Sequence, residues 1–199
     1  MITFLQGILV DKIPTCAVIN VGGVGYEVFI PMSSFDRLPA VEAEVKLLTY
    51  HHVREDAQSL FGFYTEAERN LFDRLLSVSG IGPKLALAVL SGMSVREIKT
   101  AIVSGDIKRL SGISGIGKKT AERMIVDLKD KISAGEALEA AAGIDDSMPG
   151  DVRLRDTVMA LISLGYKQAD ALKMARTAAD LAGPDAAVED LIRRSLSRG

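Results

Sequence analysis

The sequence predicts an α+β chain of several domains, with a five-stranded β-barrel first, an all-α block next, and a small helical bundle after a linker. Three observations carry this. Short apolar or alternating runs split by turn residues fill positions 1–64. Helical spacing of apolar residues takes over from Thr65 onward. Near Ser133 both patterns dissolve into alanine, glycine and acidic residues, and helical spacing resumes at 151–199.

The barrel strands are read from Ile2, Phe4, Ile8 and Val10, then Cys16 to Val21, Tyr26 to Ile30, Val45 to Val53 and Ser59 to Tyr64. Five short strands in some sixty residues fit a closed barrel of the OB type. Gly22-Gly23-Val24-Gly25 marks a hairpin or a sharp barrel corner, because strands rather than a helix flank it. Cys16 is the only cysteine, which excludes an intrachain disulfide and a cysteine zinc site, and it reads as a small core residue. His51 and His52 are adjacent in a strand and point to opposite faces, a poor arrangement for a metal.

Residues 65–132 read as about five helices. Thr65 with Glu68 and Ser94 with Glu97 are capping boxes, and Asp106 is a further N-cap. Two segments inside this block repeat: Val78-Ser79-Gly80-Ile81-Gly82-Pro83-Lys84-Leu85-Ala86 and Ile113-Ser114-Gly115-Ile116-Gly117-Lys118-Lys119-Thr120-Ala121. Each Gly-Ile-Gly is a tight turn between helices. Glycine lets the backbone turn and leaves no side chain to stop a phosphate. The helix that follows offers free N–H groups and a positive dipole end. The pair resembles tandem helix-hairpin-helix motifs, which grip a nucleic-acid backbone without reading sequence. Main-chain amides around Gly80, Gly82, Gly115 and Gly117 are the expected phosphate holders, with Lys84, Lys118, Lys119 and Arg123 supplying charge. Ile81 and Ile116 are expected to turn inward.

Charge agrees with a localised anion-binding face. The whole chain of 199 residues carries a net charge of −2, yet positions 96–131 hold nine basic residues against five acidic ones. Residues 133–150 read as a mobile linker, and 151–199 as a three-helix module suited to docking a partner. No signal peptide or run of about 18 apolar residues is present, so a cytoplasmic location is expected.

Two enzymatic readings are weighed and set aside. Gly112 to Lys118 nearly spells a nucleotide-binding loop, but Lys119 stands where the hydroxyl should be and Thr120 is one place late. A helix-hairpin-helix DNA glycosylase or lyase needs an aspartate roughly twenty residues beyond its hairpin. The window from Lys131 to Ala140 offers only Glu136 and Glu139, while Asp127 and Asp130 read as a solvated helix face. A generic DNA-binding scaffold remains as an alternative.

Taken along its whole length, the chain resembles the RuvA family of Holliday-junction-binding subunits. The resemblance is carried by Val21-Gly22-Gly23-Val24-Gly25-Tyr26-Glu27-Val28, by Val53-Arg54-Glu55-Asp56-Ala57-Gln58, by both glycine turns, and by Ala160-Leu161-Ile162-Ser163-Leu164-Gly165-Tyr166. It implies a homotetramer, or two tetramers face to face, on an open four-way junction during recombination and repair. It implies that Glu55 and Asp56 form an acidic pin near the crossover; by themselves they read as solvated turn charges. It implies that the third domain recruits the RuvB motor and that the RuvC resolvase is a further partner. On that domain Leu161, Leu164 and Tyr166, at the first helix and the turn after it, are the expected contact surface; the alternative is that they fill the bundle core, above all Leu161. ATP would be used by the motor, and the chain itself would carry no cofactor, metal or catalytic residue.

Overall fold

The computed structural model describes residues 1–132, 152–183 and 186–197. The chain divides into two compact units, Met1–Ser133 and Ala134–Gly199. The expected linker at 133–150 lies outside the described residues.

The first unit opens with β1 (Phe4–Ile13), β2 (Cys16–Val21), β3 (Val24–Phe29), β4 (Glu44–Val53) and β5 (Gln58–Phe63). They close into a barrel in the order β1-β2-β3-β5-β4, with a single parallel pairing between β3 and β5. Alternation puts Leu5, Leu9, Ala17, Ile19, Val28, Val45, Leu47 and Leu60 inside. The β2–β3 hairpin turns on Gly22 and Gly23, at φ 60° and 92° with Val21 paired to Val24. Two positive φ values in a two-residue loop are the geometry that matches strand twist, and glycine supplies it without strain.

Cys16 departs from expectation. The inward positions of β2 are Ala17 and Ile19, so the same alternation turns Cys16 outward, where it is only half-buried. That partial burial, with Glu27 nearby, still pushes its thiol pKa up.

A short helix that the sequence reading missed, α1 (Met32–Phe35), leaves the barrel after β3. Five further helices follow: α2 (Glu66–Leu76), α3 (Pro83–Gly92), α4 (Val95–Ser104), α5 (Ile107–Ser111) and α6 (Lys118–Lys129). Both predicted capping boxes are formed, and Asp106 caps α5 by accepting the Arg109 N–H at 3.0 Å. The helices bury Leu71, Phe72, Leu75, Val89, Leu90, Ile98, Ile102, Leu110, Met124 and Leu128. Phe72 of α2 packs on Phe63, Phe61 and Tyr50 of the barrel wall at centroid distances of 4.8, 5.4 and 5.4 Å. Barrel and helices therefore share one aromatic seam.

The second unit contains α7 (Val152–Ser163), α8 (Gln168–Ala182) and α9 (Val188–Leu196). Its core is Val158, Leu161, Ala171 and Ala175, flanked by Leu154, Ile162, Tyr166, Leu172 and Met174. Among the described residues no helix is long and apolar enough to cross a membrane.

Candidate nucleic-acid interface

The two glycine turns have the same backbone. Ile81 N–H donates to the Val78 carbonyl at 3.1 Å, and Ile116 N–H to the Ile113 carbonyl at 3.0 Å. Gly80 and Gly115 sit third in these four-residue turns at φ 91° and 86°. A positive φ at that place is the signature of a type II turn and selects glycine. Ile81 and Ile116 are buried, as expected, and pin each turn to its helices.

Gly82 and Gly117 do something different. They are the N-caps of α3 and α6, at φ −95° and −84°, where any residue is comfortable. A Cβ on either would meet no atom of the chain within 4 Å. Neither conformation nor internal packing requires glycine there. What the missing side chain leaves clear is the space in front of the helix amides.

Those amides are also left without a side-chain cap. The N-termini of α2, α4 and α5 are satisfied by Thr65, Ser94 and Asp106, whereas α3 and α6 have no capping side chain. Orphan N–H groups at a helix start are anion donors. Lys84, Lys118 and Lys119 occupy the first turns of these two helices and are exposed. Cations there oppose the helix dipole, a cost that an external anion reverses. Among the described residues, none of Lys84, Lys118, Lys119 and Arg123 makes a salt bridge.

The hairpins are tied into one face. Arg123 reaches from α6 so that its Nη1 lies 3.8 Å from the Cβ position of Gly80. Leu85 of α3 lies with Cδ1 only 2.8 Å from the Cβ position of Gly115. Each turn is thus overlaid by a side chain from the other hairpin. Sequence alone does not distinguish the four glycines; the structure separates two turn formers from two clearance positions.

The near-miss nucleotide loop is not preceded by a strand: α5 runs directly into it. Among the described residues no cluster of histidine, cysteine or carboxylates could hold a metal.

Glu55 and Asp56 lie exposed at the tip of the β4–β5 hairpin, whose turn closes with the Arg54 N–H on the Ala57 carbonyl at 2.8 Å. In the second unit the three apolar candidates separate. Leu161 is fully buried, Tyr166 half-buried, and Leu164 is 59% exposed beside Gly165, whose φ of 94° ends α7. Glu136 and Glu139 lie outside the described residues.

Residues 1–62 match the model described as RuvA N terminal domain, 72–130 the SAM-like helix-hairpin-helix tandem, and 153–198 the RuvA C-terminal domain. A relative from Halorhodospira halophila is 45% identical over 201 residues, covering 100% of this chain and 97% of its own length. One from Methylococcus capsulatus is 47% identical, covering 98% of each chain, and one from Escherichia coli O139:H28 is 44% identical, with 98% of each covered. All three are named Holliday junction branch migration complex subunit RuvA.

Proposed function

The chain belongs to the RuvA family, and from that premise we propose that it grips four-way DNA junctions by their backbones and presents them to an ATP-driven branch-migration motor. It is a non-catalytic subunit. The observation that carries the reading is the pair of uncapped helix starts behind Gly82 and Gly117, each cleared of side chains and flanked by exposed cations. Such a cradle binds phosphate and is blind to base identity. The amides near Gly80, Gly82, Gly115 and Gly117 hold phosphates, and Lys84, Lys118, Lys119 and Arg123 neutralise them.

Affinity for a backbone does not explain preference for a junction. Glu55 and Asp56 supply that preference: carboxylates at an exposed tip repel phosphates, which keeps strands apart at a crossover and penalises continuous duplex. Four copies around a junction multiply the field, so the working form is a homotetramer, singly or as two tetramers face to face.

The second unit docks the RuvB motor. Leu164, exposed at the end of α7, and Tyr166 form the contact, with Leu161 holding the core beneath them. The RuvC resolvase acts on the same protein–junction complex. Removing 151–199 should leave junction affinity intact and abolish motor-driven migration in a reconstituted assay.

The reading is tested by electrophoretic mobility of the full-length protein with a synthetic four-way junction and a linear duplex of the same arms, alongside its mass in solution. Strong preference for the junction and a tetrameric mass are expected. Equal affinity for both DNAs would leave only a generic backbone binder.

A further inference from the structure

At the β4–β5 tip, Arg54 shares a four-residue turn with Glu55 and Asp56, yet among the described residues it forms a salt bridge with neither. Its Nε donates instead to His52 Nε2 at 2.9 Å. His52 lies two residues back on the same face of β4. Its ring is stacked on Tyr50 at 6.1 Å and meets the edge of Phe61 at 6.3 Å, so the acceptor is held in place by aromatic neighbours. The other histidine, His51, bonds Gln58 at 3.1 Å and takes no part.

This arrangement has two effects on the tip. The carboxylates are left without a direct ion pair to the adjacent cation, so their oxygens stay open toward the tip. The guanidinium spends only Nε on the protein, leaving its two Nη groups without a partner among the described residues. An arginine with a free fork is suited to a phosphodiester.

We propose that His52 is a positioning residue: it draws Arg54 away from Glu55 and Asp56 so that the guanidinium takes a DNA phosphate at the crossover beside the carboxylates that repel its neighbours. The inference rests on the junction-binding reading above. It divides the tip into one attractive group and two repulsive ones, with His52 holding the guanidinium out of a direct ion pair with either carboxylate.

The test uses the full-length protein, a synthetic four-way junction and a matched duplex. His52→Phe keeps an aromatic ring against Tyr50 and Phe61 but removes the acceptor; His52→Gln restores an acceptor at similar reach. His52→Phe should weaken junction binding about threefold to tenfold, the worth of one ordinary hydrogen bond, since the guanidinium loses its positioning but not its charge. It should also flatten the salt dependence as Arg54→Gln does. His52→Gln should bind as wild type does. The double variant H52F/R54Q should bind no more weakly than Arg54→Gln alone, since one contact cannot be lost twice. Wild-type binding by His52→Phe, equal loss in His52→Gln, or additive losses in the double variant would overturn the inference and leave the junction reading standing. A wild-type protein without junction preference would remove that reading and the inference with it.

Discussion

Ser34 donates its hydroxyl to Glu68 at 3.0 Å and accepts the Tyr64 N–H at 2.9 Å, joining the helix that leaves the barrel to the first helix of the hairpin block. Both side chains are buried. Glu68 also accepts from the Ser33 hydroxyl and from the Tyr64 and Thr65 N–H groups, the last two at 3.1 Å. A buried carboxylate is tolerated when its lone pairs are filled in this way. Beside it, the Met32 N–H donates to Ser91 at 3.1 Å, adding a tie to α3. Together with the aromatic seam at Phe72, these bonds fix the hairpin face relative to the barrel and its acidic tip.

Glu68→Ala should therefore destabilise the first unit by about 2–4 kcal/mol, because buried hydroxyl and amide donors lose their acceptor. Denaturant unfolding would measure it. A loss below about 1 kcal/mol would mean that the donors find other partners.

The glycines should separate in a way that a shared turn role would not allow. Gly82→Ala and Gly117→Ala place a methyl in open space at an ordinary φ, and should cost less than about 1 kcal/mol as N-cap changes. They should nevertheless weaken binding to junction and duplex alike. Gly80→Ala, at φ 91°, should instead lose stability through backbone strain of about 1–3 kcal/mol. Thermal unfolding and a DNA titration on the same variants would distinguish the two classes.

Local chemistry explains why so much was legible. Alternation, capping boxes and Gly-Ile-Gly turns are decided within a few residues, so strands, helix starts and the paired cradles could be read directly. The seam could not. Met32–Phe35 is a single helical turn, too short for periodicity, and Ser34 meets Glu68 only through a contact between residues distant in sequence. Thr65 and Glu68 announced a cap, but nothing local showed that the same carboxylate would be buried against α1. Leu161 and Leu164 share a helix and an apolar character; only packing assigns one to the core and the other to the surface. Arg54 was visible beside two acids, while its choice of His52 required coordinates.

Lys119→Gln should lower affinity for every DNA form and reduce the slope of log affinity against log salt concentration, since fewer counterions are released. Its exposed position in the first turn of α6 predicts no loss of folding stability; removing a cation from a helix start is neutral or mildly stabilising. Weaker binding with an unchanged salt slope would remove Lys119 from the phosphate contacts.

Acid should weaken the second capping box. Glu97 accepts the Ser94 N–H at 3.0 Å, the Ser94 hydroxyl at 2.8 Å and Arg109 Nη2 at 2.7 Å. The Ser94 bonds first, and then Arg109, hold its carboxyl below the usual glutamate range. A folded pKa below the unfolded one gives stability that is complete above the ordinary glutamate value and is lost as pH falls through the depressed value. Glu97→Gln should cost at most about 1 kcal/mol near neutrality, as the pair is partly exposed. The difference from wild type should shrink toward zero in acid. A difference that stays constant from neutral pH into strong acid would assign the cost to shape rather than charge.

The tip offers the sharpest separation of affinity from selectivity. Glu55→Gln with Asp56→Asn removes two negative charges while nearly preserving size, and both side chains are exposed, so folding should be unaffected. The cradles around Gly82 and Gly117 are untouched, and junction binding should persist or tighten. Duplex binding should tighten more, because phosphates no longer meet a repulsive centre, and the preference for the junction should fall. Repulsion between exposed charges is screened within about 8–10 Å at physiological salt. The loss of preference should therefore be largest at low ionic strength and fade as salt is raised. Competition between labelled junction and unlabelled duplex across a salt series measures this directly. An unaltered preference at every salt concentration would reduce Glu55 and Asp56 to two solvated charges on a hairpin turn and move the source of selectivity to how the cradles are arrayed around the crossover.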